Sequence, residues 1–180
     1  AKLGCKVTGI DIAECRIKDA KAYFSEISNH AKFVCCDFMK YPMPCNEEDK
    51  YDVILLHDVI EHVPTKEPFL AHLKKFLKPT GVLFVGFPAW QMPFGGHQQI
   101  CRSKLCSHLP FIHLLPNSLY KLLLKTCNEE TGTIKELMSI KECRTSIELF
   151  ESLIHKCGFV VVDQKLWFIN PHYKQKFHLT

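Results

Sequence analysis

The stretch Lys6-Val-Thr-Gly-Ile-Asp11 decides the fold, because it is a short β-rich run that ends in an acid. Two later hydrophobic runs end in the same manner, at Cys36-Asp37 and at His57-Asp58. In an open parallel sheet, ligands lie beyond the carboxyl ends of the strands, where an acid can hold a nucleotide ribose. This recurrence predicts a nucleotide-cofactor domain.

Outward from this stretch, β-rich runs alternate with amphipathic helices, which is typical of βαβ units. We expect an α/β fold, with a Rossmann-like, mostly parallel sheet and helices on both faces. The apolar third strand predicts burial on both faces. The predicted strands are 6–10, 33–36, 51–56 and 82–87, and the predicted helices are 13–28 and 66–77.

The segment from about 88 to 144 departs from this alternation and reads as a helical insertion, with helices near 118–126 and 134–140. An insertion after the carboxyl end of a strand lies over the ligand crevice, so we expect a lid. A dimer surface or an ordinary core remains open as an alternative for its apolar residues. These are Phe111, Ile112, Leu114, Leu115, Tyr120 and Leu122 to Leu124.

The regular pattern resumes at Thr145, a predicted N-cap whose capping-box partner is Glu148. The helix is expected to run to Lys156 and to end at Gly158, before a strand at 159–168. Residues 174–180 are a short candidate for a last strand. We expect residues 1–180 to form a single domain.

The composition limits the possible partners. The chain has 180 residues, of which 47% are hydrophobic and 23% are charged, enough for a continuous core. The net charge of +4 is spread along the chain, which argues against a nucleic-acid partner. No apolar run approaches the roughly 20 residues of a membrane span, so no transmembrane segment is expected.

The 10 cysteines are scattered, many of them within apolar periodic runs, which favours free thiols in a cytoplasmic protein. The nearest approach to a zinc site is the group His97, Cys101, Cys106 and His108. Its spacing is loose and no second Cys-rich turn follows, so we expect no metal site.

Five motifs follow one another along the chain. They are Cys-Lys-Val-Thr-Gly-Ile-Asp-Ile (5–12), Cys-Cys-Asp-Phe (35–38), Tyr-Asp-Val-Ile-Leu-Leu-His-Asp-Val-Ile-Glu-His-Val (51–63), Leu-Lys-Pro-Thr-Gly-Val-Leu (77–83) and Cys-Gly-Phe (157–159). In this order they resemble class I S-adenosylmethionine-dependent methyltransferases, in the branch that acts on small molecules. The resemblance covers roughly residues 1–87 and 145–168.

The resemblance implies S-adenosylmethionine as cofactor and gives roles to individual residues. Asp11 would bind both ribose hydroxyls, with Ile12 beside it, and Asp37 would accept the adenine amino group while Phe38 packs on the ring. His57 would line the wall near the methionine part. Both acids also have a structural interpretation, Asp11 as a helix N-cap and Asp37 as a turn former.

The family opens with a strand and a Glu/Asp-x-Gly-x-Gly loop that approaches the cofactor, and no stretch of this sequence matches that loop. The resemblance therefore predicts a domain that is incomplete at its N-terminus. Cofactor binding by these 180 residues is correspondingly in question.

Methyl transfer requires in-line positioning, and a base only where the acceptor must lose a proton. The candidate catalytic bases are His62 and His97. Trp90, Met92 and Phe94 either indicate a partly hydrophobic small-molecule acceptor or pack the lid onto the domain, and the apolar lid suggests a homodimer.

Two other functions remain open. A non-catalytic methyltransferase-like module could bind a protein partner through residues 109–124. An NAD-dependent oxidoreductase shares the acid at a strand end, but it gives no reason for Asp37-Phe38 or for Glu61-His62-Val63.

Overall fold

A computed structural model describes residues 4–24 and 31–167. The chain divides into two compact units, residues 1–49 and 50–180. Both contain parallel strands and helices, so the predicted α/β class is confirmed. The assignment of all 180 residues to one domain stays a prediction.

The first unit is a βαβ arrangement. Strand β1 (Val7–Asp11) is followed by helix α1 (Glu14–Phe24) and by strand β2 (Ala31–Cys35), which pairs with β1 in parallel. Ile17 is the buried apolar residue of α1, and Phe24 contacts Phe33 with ring centroids 5.3 Å apart. Residues 25–28 of the predicted helix lie outside the described part of the chain.

The second unit is built on strands β3 (Tyr51–His57) and β4 (Leu77–Gly86), which are also parallel. Helix α2 (Lys66–Lys74) connects them and buries Phe69, Leu70 and Leu73. The remaining helices are α3 (Lys104–His108), α4 (Asn117–Thr126), α5 (Thr131–Cys143) and α6 (Ile147–Lys156).

Strand β4 begins five residues earlier than the sequence predicts, and α2 is correspondingly shorter. The Tyr51 N–H donates to the Phe76 carbonyl at 2.8 Å, and Leu77 pairs with Tyr51, which draws the end of the predicted helix into the sheet. The register then shifts, so that Val53 pairs with Val82 and residues 78–81 form an irregularity.

The prediction that the third strand is buried on both faces is wrong. Leu56 is buried, whereas Val53 and Leu55 are 62% and 64% exposed. The alternation follows from strand geometry, since successive side chains point to opposite faces and only one face of this two-stranded sheet is covered.

The insertion is helical, as predicted, and it has a core of its own. Among its apolar residues, Ile112, Tyr120 and Leu124 are buried in a cluster that α5 completes with Leu137 and Met138. Phe111, Leu114 and Leu122 remain exposed. The ordinary-core interpretation is therefore confirmed for part of this set, and the lid role stays a prediction.

The cap of α6 is Ser146, not Thr145. The Ser146 hydroxyl accepts the Leu149 N–H at 3.1 Å, while Thr145 is buried and its carbonyl accepts the Trp90 N–H at 2.8 Å. The helix ends as expected, with Gly158 at a φ of 71°.

Residues 159–167 do not form the predicted strand. A strand needs a neighbour to complete its hydrogen bonds, and within the described ranges no residue pairs with this segment. Phe168 and the candidate last strand at 174–180 lie outside the described residues. No helix in the described ranges is long and apolar enough to cross a membrane.

Candidate functional site

In the first unit, the two predicted cofactor acids lie at the same edge of the parallel pair. Asp11 is the last residue of β1 and pairs with Cys35, so Asp37 stands two residues beyond that partner. The Cys36 N–H donates to the Asp11 carbonyl at 3.0 Å and extends the pairing past the strand ends. Parallel strands place their carboxyl ends together, and the sequence therefore brings both carboxylates to one edge.

Asp11 also shapes the turn into α1. Its Oδ1 accepts the Ala13 N–H at 2.7 Å, and its Oδ2 lies 3.7 Å from Nη1 of Arg16. The predicted N-cap role is thus close to what is seen, with the bond made one residue before the helix begins. A carboxylate has about four lone-pair sites, so these contacts leave it able to accept further donors.

Asp37 caps a 3₁₀ turn at Phe38–Lys40, where its Oδ1 accepts the Met39 N–H at 3.0 Å. The interpretation of Asp37 as a turn former is therefore confirmed by this contact. The other carboxylate oxygen, Oδ2, is not used in that bond. An apolar residue follows each acid in the sequence. Ile12, after Asp11, is 74% exposed, and Phe38, after Asp37, is half-buried. The cofactor roles of these four residues stay predictions.

In the second unit, His57 ends β3 opposite Gly86, as the sequence predicts. Its Nδ1 lies 3.1 Å from Oδ2 of Asp58, and its side chain is 70% exposed. Asp58 itself has a φ of 52°, which turns the chain sharply away from the strand. His57 is thus an open edge residue, and its role at the methionine part of the cofactor stays a prediction.

The turn before His97 depends on two glycines. A Cβ on Gly95 would lie 2.3 Å from the Ala89 carbonyl oxygen, and one on Gly96 would lie 2.2 Å from Cβ of His113. Since neither site has room for a side chain, the sequence Gly95-Gly96-His97 folds tightly against the protein. His97 follows in a left-handed conformation with a φ of 57°.

The same turn is fixed by Gln98, which is completely buried. Its Nε2 donates to the Pro93 carbonyl at 2.9 Å. The His97 N–H donates to the Phe94 carbonyl at 3.0 Å, and the Ile100 N–H donates to the His97 carbonyl at 3.1 Å. These bonds hold the histidine backbone in one position.

The structure brings His97 to His62 and to Glu61, which lie in a 3₁₀ turn at Ile60–His62. Nε2 of His97 is 3.4 Å from Oε1 of Glu61, at ion-pair distance but without hydrogen-bond geometry. The rings of His62 and His97 meet edge to face with centroids 5.3 Å apart. The two predicted bases are therefore neighbours.

Glu61 is 2% exposed, and neither of its carboxylate oxygens has a hydrogen-bond partner within the described part of the chain. A buried carboxylate is costly unless it is paired, so its position beside a histidine suggests a chemical role. It can orient an imidazole and stabilise the imidazolium that forms when the ring takes a proton.

The same three residues could also hold a metal ion, because one ligand atom from each lies within 4.8 Å of the others. Two imidazoles and a carboxylate are a ligand set used for zinc and for non-haem iron. The four residues that the sequence offered as a zinc site, His97, Cys101, Cys106 and His108, do not form such a group in the described part of the chain. Cys101 and Cys106 lie in the hydrophobic cluster, and His108 Nδ1 contacts the Lys104 carbonyl at 3.0 Å.

Sequence reasoning missed Glu61 as a site residue, although it lies inside a quoted motif. The available signal was an acid placed between Ile60 and Val63, where an apolar turn would ordinarily exclude it. Its burial beside His97 could not be deduced, because 35 intervening positions separate the two along the chain.

Comparisons with known proteins bear on the same region. A family model described as a methyltransferase domain matches residues 1–85. A ubiquinone biosynthesis O-methyltransferase of Bartonella tribocorum is 31% identical over 109 residues, which are 57% of this chain and 42% of that protein. A sterol 24-C-methyltransferase of Gibberella zeae is 33% identical over 91 residues, 49% of this chain and 23% of that protein.

Among solved structures, PKMT2 from Rickettsia typhi in complex with AdoHcy aligns with 95% of this chain and 38% of its own. It has 17% identity and a TM-score of 0.47. This chain spans less than half of the length of the two curated relatives. Residues 1–85 therefore match a methyltransferase domain, and four of the five motifs that resemble class I S-adenosylmethionine-dependent methyltransferases lie within them.

Proposed function

We propose that this protein transfers a methyl group from S-adenosylmethionine to a small-molecule acceptor. The carrying observation is the pair Asp11 and Asp37, two acids at one edge of a parallel β-pair within the segment that matches the methyltransferase domain. Relatives named for ubiquinone and sterol methylation support an acceptor with an apolar body.

On the cofactor side, Asp11 accepts both ribose hydroxyls while its bond to Ala13 holds the carboxylate in place. Ile12 and Phe38 supply apolar surface for the adenine, and Asp37 accepts its amino group. The resemblance assigns His57, at the carboxyl end of β3 in the second unit, to the methionine part of the cofactor. S-adenosylmethionine supplies an activated methyl group, so the protein must mainly bind and orient.

On the acceptor side, His97 is the base that takes a proton from the acceptor. Glu61 holds the imidazole and stabilises its charged form, and His62 supports the ring from one edge. The fixed turn at 93–98 favours this assignment over a mobile surface histidine. A cytoplasmic location is part of this proposal. The ten free thiols support it, because the cytoplasm is reducing.

Isothermal titration with S-adenosylhomocysteine, with NAD in parallel, tests the cofactor class. We expect selective binding of S-adenosylhomocysteine, weakened about 10- to 100-fold by Asp11→Asn, which keeps the turn but removes the charge. Asp19→Asn is the matched control, because Asp19 is exposed on α1. Equal effects of the two changes would remove Asp11 from the site.

Binding of NAD in preference to S-adenosylhomocysteine would instead indicate an oxidoreductase. Absence of binding to both is the result expected of a non-catalytic module that uses residues 109–124 for a protein partner, and equally of a domain that cannot hold the cofactor without the glycine loop. The exposed side chains of Phe111, Leu114 and Leu122 would then be the first positions to vary.

Removal of metal ions by a chelator distinguishes two roles for His97, a catalytic base and a metal ligand. If His97 is a base, His97→Gln lowers turnover while EDTA leaves the wild-type rate unchanged. Loss of activity in EDTA, restored by added Zn²⁺, would assign Glu61, His62 and His97 to a metal centre instead.

A further inference from the structure

The second unit contains a cavity of about 360 Å³, and none of the residues that line it belongs to the cluster of Glu61, His62 and His97. Trp90 and Asn117 line it, together with apolar side chains that precede α4. The charged lining residues are Lys141 and Arg144, at the end of α5. No lining residue is acidic, so the cavity presents two cations, an amide and an indole.

Lys141 is 4% exposed, although lysine is among the residues least often buried without a partner. Its Nζ donates to the His113 carbonyl at 2.5 Å and lies over the rings of Trp90 and Tyr120, at 5.5 and 5.7 Å from their centroids. Within residues 4–24 and 31–167, no carboxylate forms an ion pair with it at 4.0 Å or less.

Arg144 adds a second positive charge at the same place. It caps α5 with a φ of 41°, and its Nε donates to the Lys141 carbonyl at 3.1 Å. Burial lowers the pKa of Lys141, and the charge of Arg144 lowers it further. Two cations that disfavour each other, beside an aromatic ring and without an acid, form a site that an anion would stabilise.

We propose that this cavity binds a small organic anion, a carboxylate or a phosphate ester, with its charged group between Lys141 and Arg144 and its flat or apolar body against Trp90. The fork of Arg144 can bind either oxyanion through two parallel hydrogen bonds. Asn117 is a further donor at the rim. This binding does not depend on methyl transfer, so either proposal can fail without the other.

Trp90 provides the reporter. The chain has 2 tryptophans, and Trp167→Phe removes the second, which is 57% exposed. In this background, fluorescence is titrated with benzoate, phenyl phosphate and inorganic phosphate, and with benzamide as a neutral analogue. We expect a saturable change with the anions and a weaker or absent one with benzamide.

The variants assign the response to the two cations. Arg144→Gln changes an exposed residue and should fold, and it should weaken anion binding about 10- to 100-fold. Lys141→Met, which keeps the packing between the two rings, should act similarly. Lys135→Met is the control, because Lys135 is an exposed lysine of the same helix.

The order of the two aromatic anions distinguishes the sources. Tighter binding of phenyl phosphate favours a phosphate ester, and tighter binding of benzoate favours a carboxylate. Absence of a saturable change with any anion, or an anion affinity that Arg144→Gln leaves unaltered, would overturn the proposal.

Discussion

Glu61 combines burial, negative charge and unmet hydrogen-bonding capacity in one side chain. Replacing a whole buried ion pair by apolar residues can be neutral, but removing one partner leaves the other charge unpaired. Glu61 lies at ion-pair distance from His97, and it also raises the pKa of the buried Lys66. Stability and turnover measured on one variant separate its structural role from its role at His97.

We expect Glu61→Met to lower the free energy of unfolding by no more than about 3 kcal/mol, because Lys66 loses a nearby negative charge but keeps its bonds to the Val63 and Cys143 carbonyls. The same change should lower turnover about tenfold or more, because His97 loses the group that orients it. Urea denaturation and initial rates measure the two effects. Glu136→Met, at an exposed position of α5, is the control. A large loss of stability in Glu61→Met would make Glu61 a structural residue.

The glycine turn makes a second prediction at this scale. Gly96→Ala places a methyl group within 2.2 Å of Cβ of His113, and we expect a destabilisation of about 1–3 kcal/mol together with reduced turnover as His97 shifts. Gly132→Ala is the matched control, since nothing lies within 4 Å of its Cβ position in α5. There, alanine should stabilise the helix by about 0.5–1 kcal/mol. Equal behaviour of the two variants would contradict the close packing at Gly96.

At the scale of elements, the hydrophobic cluster of the insertion buries two thiols, and their pKa values are raised. Burial raises the pKa of Cys101 to about 11 and that of Cys106 to about 12. In the unfolded chain a cysteine thiol has a pKa of about 8.5. The folded state therefore binds more protons in this window, and its stability, complete below about pH 8.5, falls as pH rises towards 11.

Thermal unfolding between pH 7 and 10.5 measures this loss. We expect the wild-type melting temperature to fall above about pH 8.5, and the fall to be smaller in Cys101→Ala with Cys106→Ala. Cys15→Ala, an exposed cysteine of α1, should leave the pH dependence as it is. An identical pH dependence in the double variant would show that other groups control alkaline unfolding.

The elements also show what the sequence could establish. Alternating β-rich runs and 3.6-residue periodicity located β1, β2, β3 and α6, because these signals are local. The end of α2 and the start of β4 were misplaced, since the bond from Tyr51 to Phe76 joins segments that are distant in the sequence. Ser146 replaced Thr145 as the cap for a similar reason, the tertiary bond between Thr145 and Trp90.

The candidate site divides in the same manner. Asp11, Asp37 and His57 follow from strand ends, which a sequence shows directly. The approach of His97 to Glu61, and that of Lys141 to Trp90, depend on how a helical insertion folds back within its own unit. Neither contact has a local signal in the sequence, and each follows only from the three-dimensional fold.

At the scale of the whole molecule, the apolar surface of the insertion remains exposed. Leu119 and Leu122 lie one turn apart on α4 and are 51% and 60% exposed, and Leu114 and Phe111 are also exposed nearby in sequence. Apolar side chains clustered in this manner mark interaction surfaces more often than isolated ones do. A second copy of the chain is the partner that the sequence suggested.

We expect the protein to form a homodimer through α4, which light scattering after size-exclusion chromatography measures directly. Leu122→Lys should shift the equilibrium towards monomer, because a charge at the centre of an apolar contact must be desolvated when the surfaces meet. Val162→Lys is the control, an 84% exposed apolar residue in a different segment. A dimer that survives Leu122→Lys and Leu119→Lys would place the interface elsewhere, and a wild-type monomer at high concentration would remove the homodimer and leave these leucines for another partner.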